Sequence, residues 1–177
     1  IIIGSGNVAQ HLIVAFEKSK KEGTEIELIQ VFSRKLETLV HLLDYDRIAT
    51  DYNQLLEADL YIIAVSDDAI SEVDSQLPFK NRLVVHTSGT VPITALNEEN
   101  RKGVFYPLQT FTKNKAVDFK TIPICLESEN ATDYQLLNTV AKSISDAIFA
   151  INSEQRKALH VAAVFINNFT NLIHTIV

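Results

Sequence analysis

Short apolar runs and amphipathic stretches alternate along most of the chain, which is the pattern of a βαβ series. Ile1–Ile3 reads as the stub of a first strand. Asn7 to Lys21 follows as a helix, with Val8, Leu12, Ala15 and Phe16 at helical spacing and Gly23 as its C-terminal cap. Further strands are predicted over 26–32, 48–50, 60–65, 83–86, 104–106, 122–126 and 147–151. Between them, helices are predicted over 36–43, 52–58 and 133–143, with another that Asp67 or Asp68 caps and Pro78 stops. Residues 107–120 read as a polar loop carrying aromatics, and Ser153 is predicted to cap a long final helix. The run 60–65 is apolar without alternation, as in a parallel strand covered on both faces. The fold class is therefore α/β, a Rossmann-like, doubly wound, mostly parallel sheet over 1–151, followed over 152–177 by the start of an all-helical domain.

The first βα junction carries the most specific local signal. Gly4-Ser5-Gly6-Asn7-Val8-Ala9 reads G-x-G-x-x-A directly after a strand and at the opening of a helix. Gly4 permits a tight turn, Gly6 admits a pyrophosphate against bare backbone, and Ala9 lets the helix pack close. The helix amino end adds free N–H groups and partial positive charge. Gly4, Ser5, Gly6, Asn7 and Val8 are thus the expected pyrophosphate cradle.

The second strand ends Val31-Phe32-Ser33-Arg34-Lys35, without the acid that usually binds an NAD ribose. Arg34 suits a 2′-phosphate through its planar fork, and Ser33 and Lys35 can add to it. NADP(H) is the expected cofactor, with NAD the poorer fit. The missing acid also weighs against an S-adenosylmethionine site. Ala64, Val65 and Ser66 end the fourth strand, and Thr87 and Ser88 follow the fifth. Both groups sit where open α/β sheets bind ligands, next to the nicotinamide side. The alternative for Ser88-Gly89-Thr90 is a plain turn whose Thr90 caps a helix.

On the final helix, at about 100° per residue, Arg156, His160, Asn167, Asn171 and His174 fall on one stripe. Leu159, Val161, Ala162, Phe165 and Ile166 help cover the rest, so the helix is expected to be buried. The polar stripe then needs a cleft, a subunit contact or internal hydrogen bonds. The cleft reading makes His160, Asn167 and Lys157 the candidate catalytic residues, His160 for its titration range.

Charge and composition narrow the class. The 177 residues carry a formal net charge of −6, which argues against a nucleic-acid partner. Lys18, Lys20 and Lys21 sit at a helix end, where cations favour the dipole. No apolar stretch reaches the roughly 18 residues of a membrane span, and no leader peptide is expected. Cys125 is the single cysteine and reads as a buried strand residue, consistent with a reducing, cytoplasmic compartment. No spacing among the histidines suggests a metal site. The chain opens inside a strand, contains no methionine and stops inside a helix. We expect it to be part of a longer chain with a further domain.

Taken with Ala64-Val-Ser-Asp-Asp-Ala-Ile70, Val85-His-Thr-Ser-Gly89, Gly103-Val-Phe-Tyr-Pro-Leu-Gln-Thr-Phe111 and Leu159-His-Val-Ala-Ala-Val-Phe-Ile-Asn-Asn-Phe169, these motifs resemble a bacterial family of Rossmann-like NADP- or deazaflavin-dependent oxidoreductases with a C-terminal helical domain. That family is similar to pyrroline-5-carboxylate reductase and to the 6-phosphogluconate and 3-hydroxyisobutyrate dehydrogenases. The resemblance covers essentially the whole chain. It implies a homodimer through the helical region, a substrate cleft between domains, a small-molecule substrate, and deazaflavin as a further candidate cofactor. The hydroxyacid dehydrogenases carry a catalytic lysine one turn before an asparagine on the interdomain helix. Here Val164 stands one turn before Asn168, and the nearest lysine is Lys157. An NADP-dependent reductase or dehydrogenase of a small polar metabolite and a non-catalytic NADP(H)-binding or sensing module both remain open, as does a purely structural dimer module.

Overall fold

In the computed structural model, backbone is described for residues 1–113 and 115–176, and side chains as far as residue 166, Asn114 apart. Eight strands form one sheet: β1 (Ile2–Ile3), β2 (Val31–Phe32), β3 (Ile48–Ala49), β4 (Tyr61–Ile63), β5 (Leu83–His86), β6 (Arg101–Pro107), β7 (Ile124–Ser128) and β8 (Ile148–Ala150). Their order is β3-β2-β1-β4-β5-β6-β7-β8. Every pairing is parallel except β6 with β7. The chain works outward from β1 to β3, then returns to β1's other side with β4. The strand order therefore reverses between β1 and β4, and that switch point opens a crevice at their carboxyl ends.

The helices are α1 (Asn7–Lys21), α2 (Ile70–Ser75), α3 (Ala131–Ile144) and α4 (Ser153–Ile176). α1 buries Ala9, Leu12, Ile13 and Phe16 against the sheet; each large side chain among them contributes roughly 1.5–3 kcal/mol. Ala9 is fully buried, as the third position of the loop motif requires. Gly23, at φ +91°, follows the last turn of α1 in the left-handed region.

Several predicted elements are shorter than their apolar spacing suggests. The segment 36–43 is a 3-10 turn at Leu36–Thr38 followed by turns, with Leu39 and Leu43 buried. Two anchors one turn apart are met without a continuous helix, whose nucleation is costly over so few residues. The helix expected over 52–58 is only a 3-10 turn, Tyr52–Gln54. There the buried Gln30 side chain intercepts the backbone, bonding Gln54 C=O at 3.1 Å and Leu56 N–H at 3.0 Å. After β4 a 3-10 turn, Asp67–Ala69, precedes α2, and neither aspartate caps it. Thr90 caps no helix either; only a 3-10 turn, Ile93–Ala95, follows.

α4 starts from Asn152 rather than Ser153. The Asn152 side chain accepts from Gln155 N–H at 2.9 Å, and Gln155 Oε1 accepts from Asn152 N–H at 3.0 Å, a reciprocal capping box. The expected burial of α4 on nearly all sides is not met among the described side chains. Val161, Phe165 and Ile166 are 58%, 70% and 65% exposed.

Candidate functional site

The turn after β1 is built on two glycines with different roles. Gly4 lies at φ +133°, and a Cβ there would sit 2.2 Å from the Ala64 carbonyl oxygen of the neighbouring strand end. The fold itself demands that glycine. Gly6 has ordinary backbone angles, φ −72° and ψ −176°, and a Cβ on it would meet no atom within 4 Å. Protein packing does not explain its missing side chain; open space in front of the helix does.

That space lies at a helix end with no internal acceptor. Gly6 precedes α1 without a side-chain cap, and the first turn holds no acid. The first helical bond runs from Gln10 N–H to Gly6 C=O at 3.0 Å, so the earlier amides have no acceptor within the helix. The loop is held from its flanks: Gln10 Nε2 donates to Ser5 C=O at 2.9 Å, and Asn7 Nδ2 to Phe111 C=O at 3.1 Å.

A cleft of about 610 Å³ begins at this helix end. Gly4, Ser5, Gly6, Asn7 and Val8 form one wall, Ser33, Arg34 and Lys35 a second, and Ala64, Val65 and Ser66 a third. The fold thus brings together eleven of the thirteen predicted binding residues; Thr87 and Ser88 lie outside this cleft. Tyr52, Glu72, Gln76 and Phe111 also line the cleft, and sequence reading passed over them. Glu72 and Gln76 share one face of α2 and the residue after it, a spacing of four that could have marked them.

Ser33 is spent on structure. It is 1% exposed, its Oγ donates to Lys35 C=O at 2.9 Å, and the same oxygen accepts from Lys35 N–H at 3.1 Å. It shapes the turn that presents Arg34 and Lys35, both exposed and neither ion-paired with a described residue. Tyr52 stacks on Phe32 with ring centroids 4.1 Å apart. Burial pushes the Tyr52 hydroxyl pKa up, against the pull of nearby Arg34.

The carboxyl end of β5 is occupied differently. Thr87 and Ser88 are buried. Ser88 Oγ accepts from Thr90 N–H and Val91 N–H, both at 3.0 Å, and Thr90 Oγ1 donates to Asp67 Oδ2 at 2.6 Å. The turn reading of Ser88-Gly89-Thr90 is the one the structure bears. His86 Nδ1 accepts from Ser88 N–H at 3.2 Å, while Nε2 has no partner of hydrogen-bond geometry among the described residues. Burial, with Arg156 adding to it, lowers the His86 pKa to about 4, against the opposing pull of the Pro92 carbonyl and Asp67.

Next to this turn α4 supplies two of its stripe residues. Arg156 is 1% exposed and pairs with Glu127 of β7, also donating to Val91 C=O at 2.6 Å and Ser153 Oγ at 3.2 Å. Ser153 in turn bonds the Glu127 carboxylate through its N–H at 2.9 Å and its Oγ at 2.8 Å. His160 Nδ1 lies 2.8 Å from Tyr106 Oη. Arg156 and His160 are thus engaged by internal hydrogen bonds, while Arg156 Nε and His160 Nε2 have no partner among the described residues. Lys157 is exposed, away from this cluster, and the Asn167 side chain lies outside the described residues. Among the described residues no group of His, Cys, Asp and Glu is arranged to hold a metal, and no helix is long and apolar enough to cross a membrane.

The NADP(H) that the motifs imply fits this donor set. The uncapped amides of α1 and the void before Gly6 suit a diphosphate, and two unpaired cations stand at the end of β2.

Residues 1–89 match the family described as NADP oxidoreductase, coenzyme F420-dependent, and residues 122–177 match a domain of unknown function. A crystal structure described as a "putative NADP oxidoreductase" from Bacteroides fragilis is 35% identical, with a TM-score of 0.82 over 99% of this chain and 68% of that one. A pyrroline-5-carboxylate reductase from Coxiella burnetii is 20% identical, with a TM-score of 0.64 over 88% of this chain and 59% of that one. An imine reductase from Myxococcus stipitatus, solved with NADP+, is 16% identical, with a TM-score of 0.67 over 99% of this chain and 62% of that one. The last two share the fold. The chain thus spans between 59% and 68% of the length of these three structures. Among curated proteins, none matches it.

Proposed function

The chain belongs to the family of coenzyme F420-dependent NADP oxidoreductases, and from that premise we propose that it is the cofactor-binding part of an NADP(H)-dependent reductase or dehydrogenase acting on a small polar metabolite. The observation that carries this reading is the uncapped amino end of α1 facing open space at Gly6. Amides of Gly6, Asn7 and Val8 bind the pyrophosphate. Arg34 and Lys35 bind the 2′-phosphate, and Ser33 holds their turn. Ala64, Val65 and Ser66 line the path toward the nicotinamide. The bound nicotinamide supplies the hydride. His160 stands as the candidate donor to the substrate, with Asn167 and Lys157 as further candidates on the same helix.

The family's description adds a deazaflavin as hydride partner, so the same cleft is a candidate for hydride exchange between NADP(H) and that coenzyme. The apolar side chains of α4 that stand exposed, Val161 and Val164 among them, support a homodimer formed through the helical region. The lone buried thiol of Cys125 favours a reducing, cytoplasmic setting.

The test is a fluorescence titration of NADPH and NADH against the wild type and Arg34→Ala. Wild type prefers NADPH, and the variant loses about tenfold or more of that preference, the worth of a charge-assisted hydrogen bond. Equal affinities in the wild type contradict the assignment. Tight NADPH binding with no oxidation at 340 nm across carbonyl, imine and deazaflavin acceptors favours a sensing module instead.

A further inference from the structure

Tyr106 and His160 come from β6 and α4 and meet over Gly89, at the carboxyl end of β5. A Cβ on Gly89 would lie 2.4 Å from His160 Nδ1 and 2.9 Å from Tyr106 Cζ. The pair therefore exists only because that turn residue has no side chain. The rings meet edge-on, with centroids 5.9 Å apart and planes at 61°.

A hydrogen bond 2.8 Å long joins Tyr106 Oη and His160 Nδ1, and its direction is tied to the imidazole tautomer. Tyr106 is 8% exposed, and His160 Nδ1 is the one acceptor for its hydroxyl proton among the described residues. Burial pushes the Tyr106 pKa up to about 12, with Cys125 adding to the rise and Arg156 opposing it. The phenol keeps its proton at neutral pH and is able to donate it. A neutral His160 then accepts at Nδ1 and carries its own proton on Nε2. His160 Nε2 has no described partner, and it is absent from the polar atoms sealed from solvent.

We propose that Tyr106 is a positioning residue: it locks His160 in the Nε2–H tautomer and turns that N–H into a fixed donor for a carbonyl or carboxylate oxygen of the substrate. The idea rests on reading the neighbouring cleft as the nicotinamide site, which puts the substrate at the carboxyl ends of β4 and β5. It makes His160 a neutral donor that orients and polarises an oxygen, and Tyr106 acts only through it. Substrates with an acceptor oxygen next to the reacting carbon are favoured over purely apolar imines.

Long-range ¹H–¹⁵N NMR of the histidine rings tests this in the wild type and in Tyr106→Phe. His86, whose Nδ1 also accepts, serves as an internal reference. The expected wild-type spectrum shows His160 protonated at Nε2 alone. In Tyr106→Phe the His160 ring samples both tautomers while the His86 signals stay in place. Pyruvate and acetaldehyde, added to the NADP+ complex, shift His160 Nε2 in the wild type. They bind about fivefold more weakly to the variant, the worth of one hydrogen bond, and NADP+ affinity is unchanged. A wild-type His160 protonated at Nδ1, a tautomer that Tyr106→Phe leaves intact, or no Nε2 response to either probe overturns the proposal. Loss of NADP+ binding in the wild type instead defeats the cofactor reading, while the tautomer result stands by itself.

Discussion

Helices α1 and α4 begin in opposite ways. At α4 the helix start is fastened from within: Asn152 and Gln155 cap one another's amides, and Ser153 and Arg156 close on the Glu127 carboxylate. α3 likewise draws a cap from Asn130, which accepts from Asp133 N–H at 2.9 Å. At α1 no side chain caps the first turn, that turn holds no acid, and Gly6 adds no side chain. A helix end costs stability when its amides go unanswered. One end is finished as structure and the other is left open toward a cleft, and on that contrast rests the proposal that ligand charge binds the open end. The contrast also separates two kinds of arginine. Arg156 is buried and paired, whereas Arg34 is exposed, without an ion pair to a described residue, at the edge of the same cleft.

The sharpest way to break the finished end is Arg156→Ala. It strands the Glu127 carboxylate, whose side chain is 14% exposed, and should cost about 3–5 kcal/mol. Urea unfolding reads the loss, and a change below about 1 kcal/mol, the range of an exposed pair, shows that the network does not fasten α4. His86 gives a pH test of the same end. Its folded pKa of about 4 lies below the ordinary histidine value of 6.5, so the unfolded chain binds the extra proton between those values. Stability is then whole above pH 6.5 and falls as pH drops toward 4, by about 3 kcal/mol from this group alone. A His86→Asn variant should show a flatter profile over that window in thermal melts; the same slope in both proteins assigns it to other groups. The smallest change is Asn152→Ala, which removes the α4 cap and should cost about 1 kcal/mol. An effect as large as that of Arg156→Ala shows that the cap, not the ion pair, carries the junction.

The open end was legible because its determinants are local. Gly4, Gly6 and Ala9 lie within six consecutive residues, and each has one backbone reason to be small. Arg34 and Lys35 were legible from the absence of an acid at the end of β2. The finished end was not, because its partners are distant in sequence. Arg156 meets Glu127 across 29 residues, and no periodicity records that. The polar stripe of α4 was visible, but not that Arg156 would pair with Glu127 and His160 bond Tyr106. Tyr106 had a weak signal: a hydroxyl in a buried strand must find a partner. The 36–43 and 52–58 segments misled because apolar anchors at helical spacing also suit consecutive turns. At 52–58 the deciding group was the side chain of Gln30, on a different segment.

The most direct test of the contrast is Gly6→Ala, followed by both thermal melting and NADPH binding. The added methyl group meets no protein atom within 4 Å, so the melting temperature should fall by no more than about 4 °C, the cost of Ala in place of Gly at an N-cap. The same methyl group fills the space offered to the pyrophosphate, so NADPH affinity should fall about tenfold or more. A variant that melts within that range and still binds NADPH as tightly as the wild type would show that the open end of α1 is not a phosphate site.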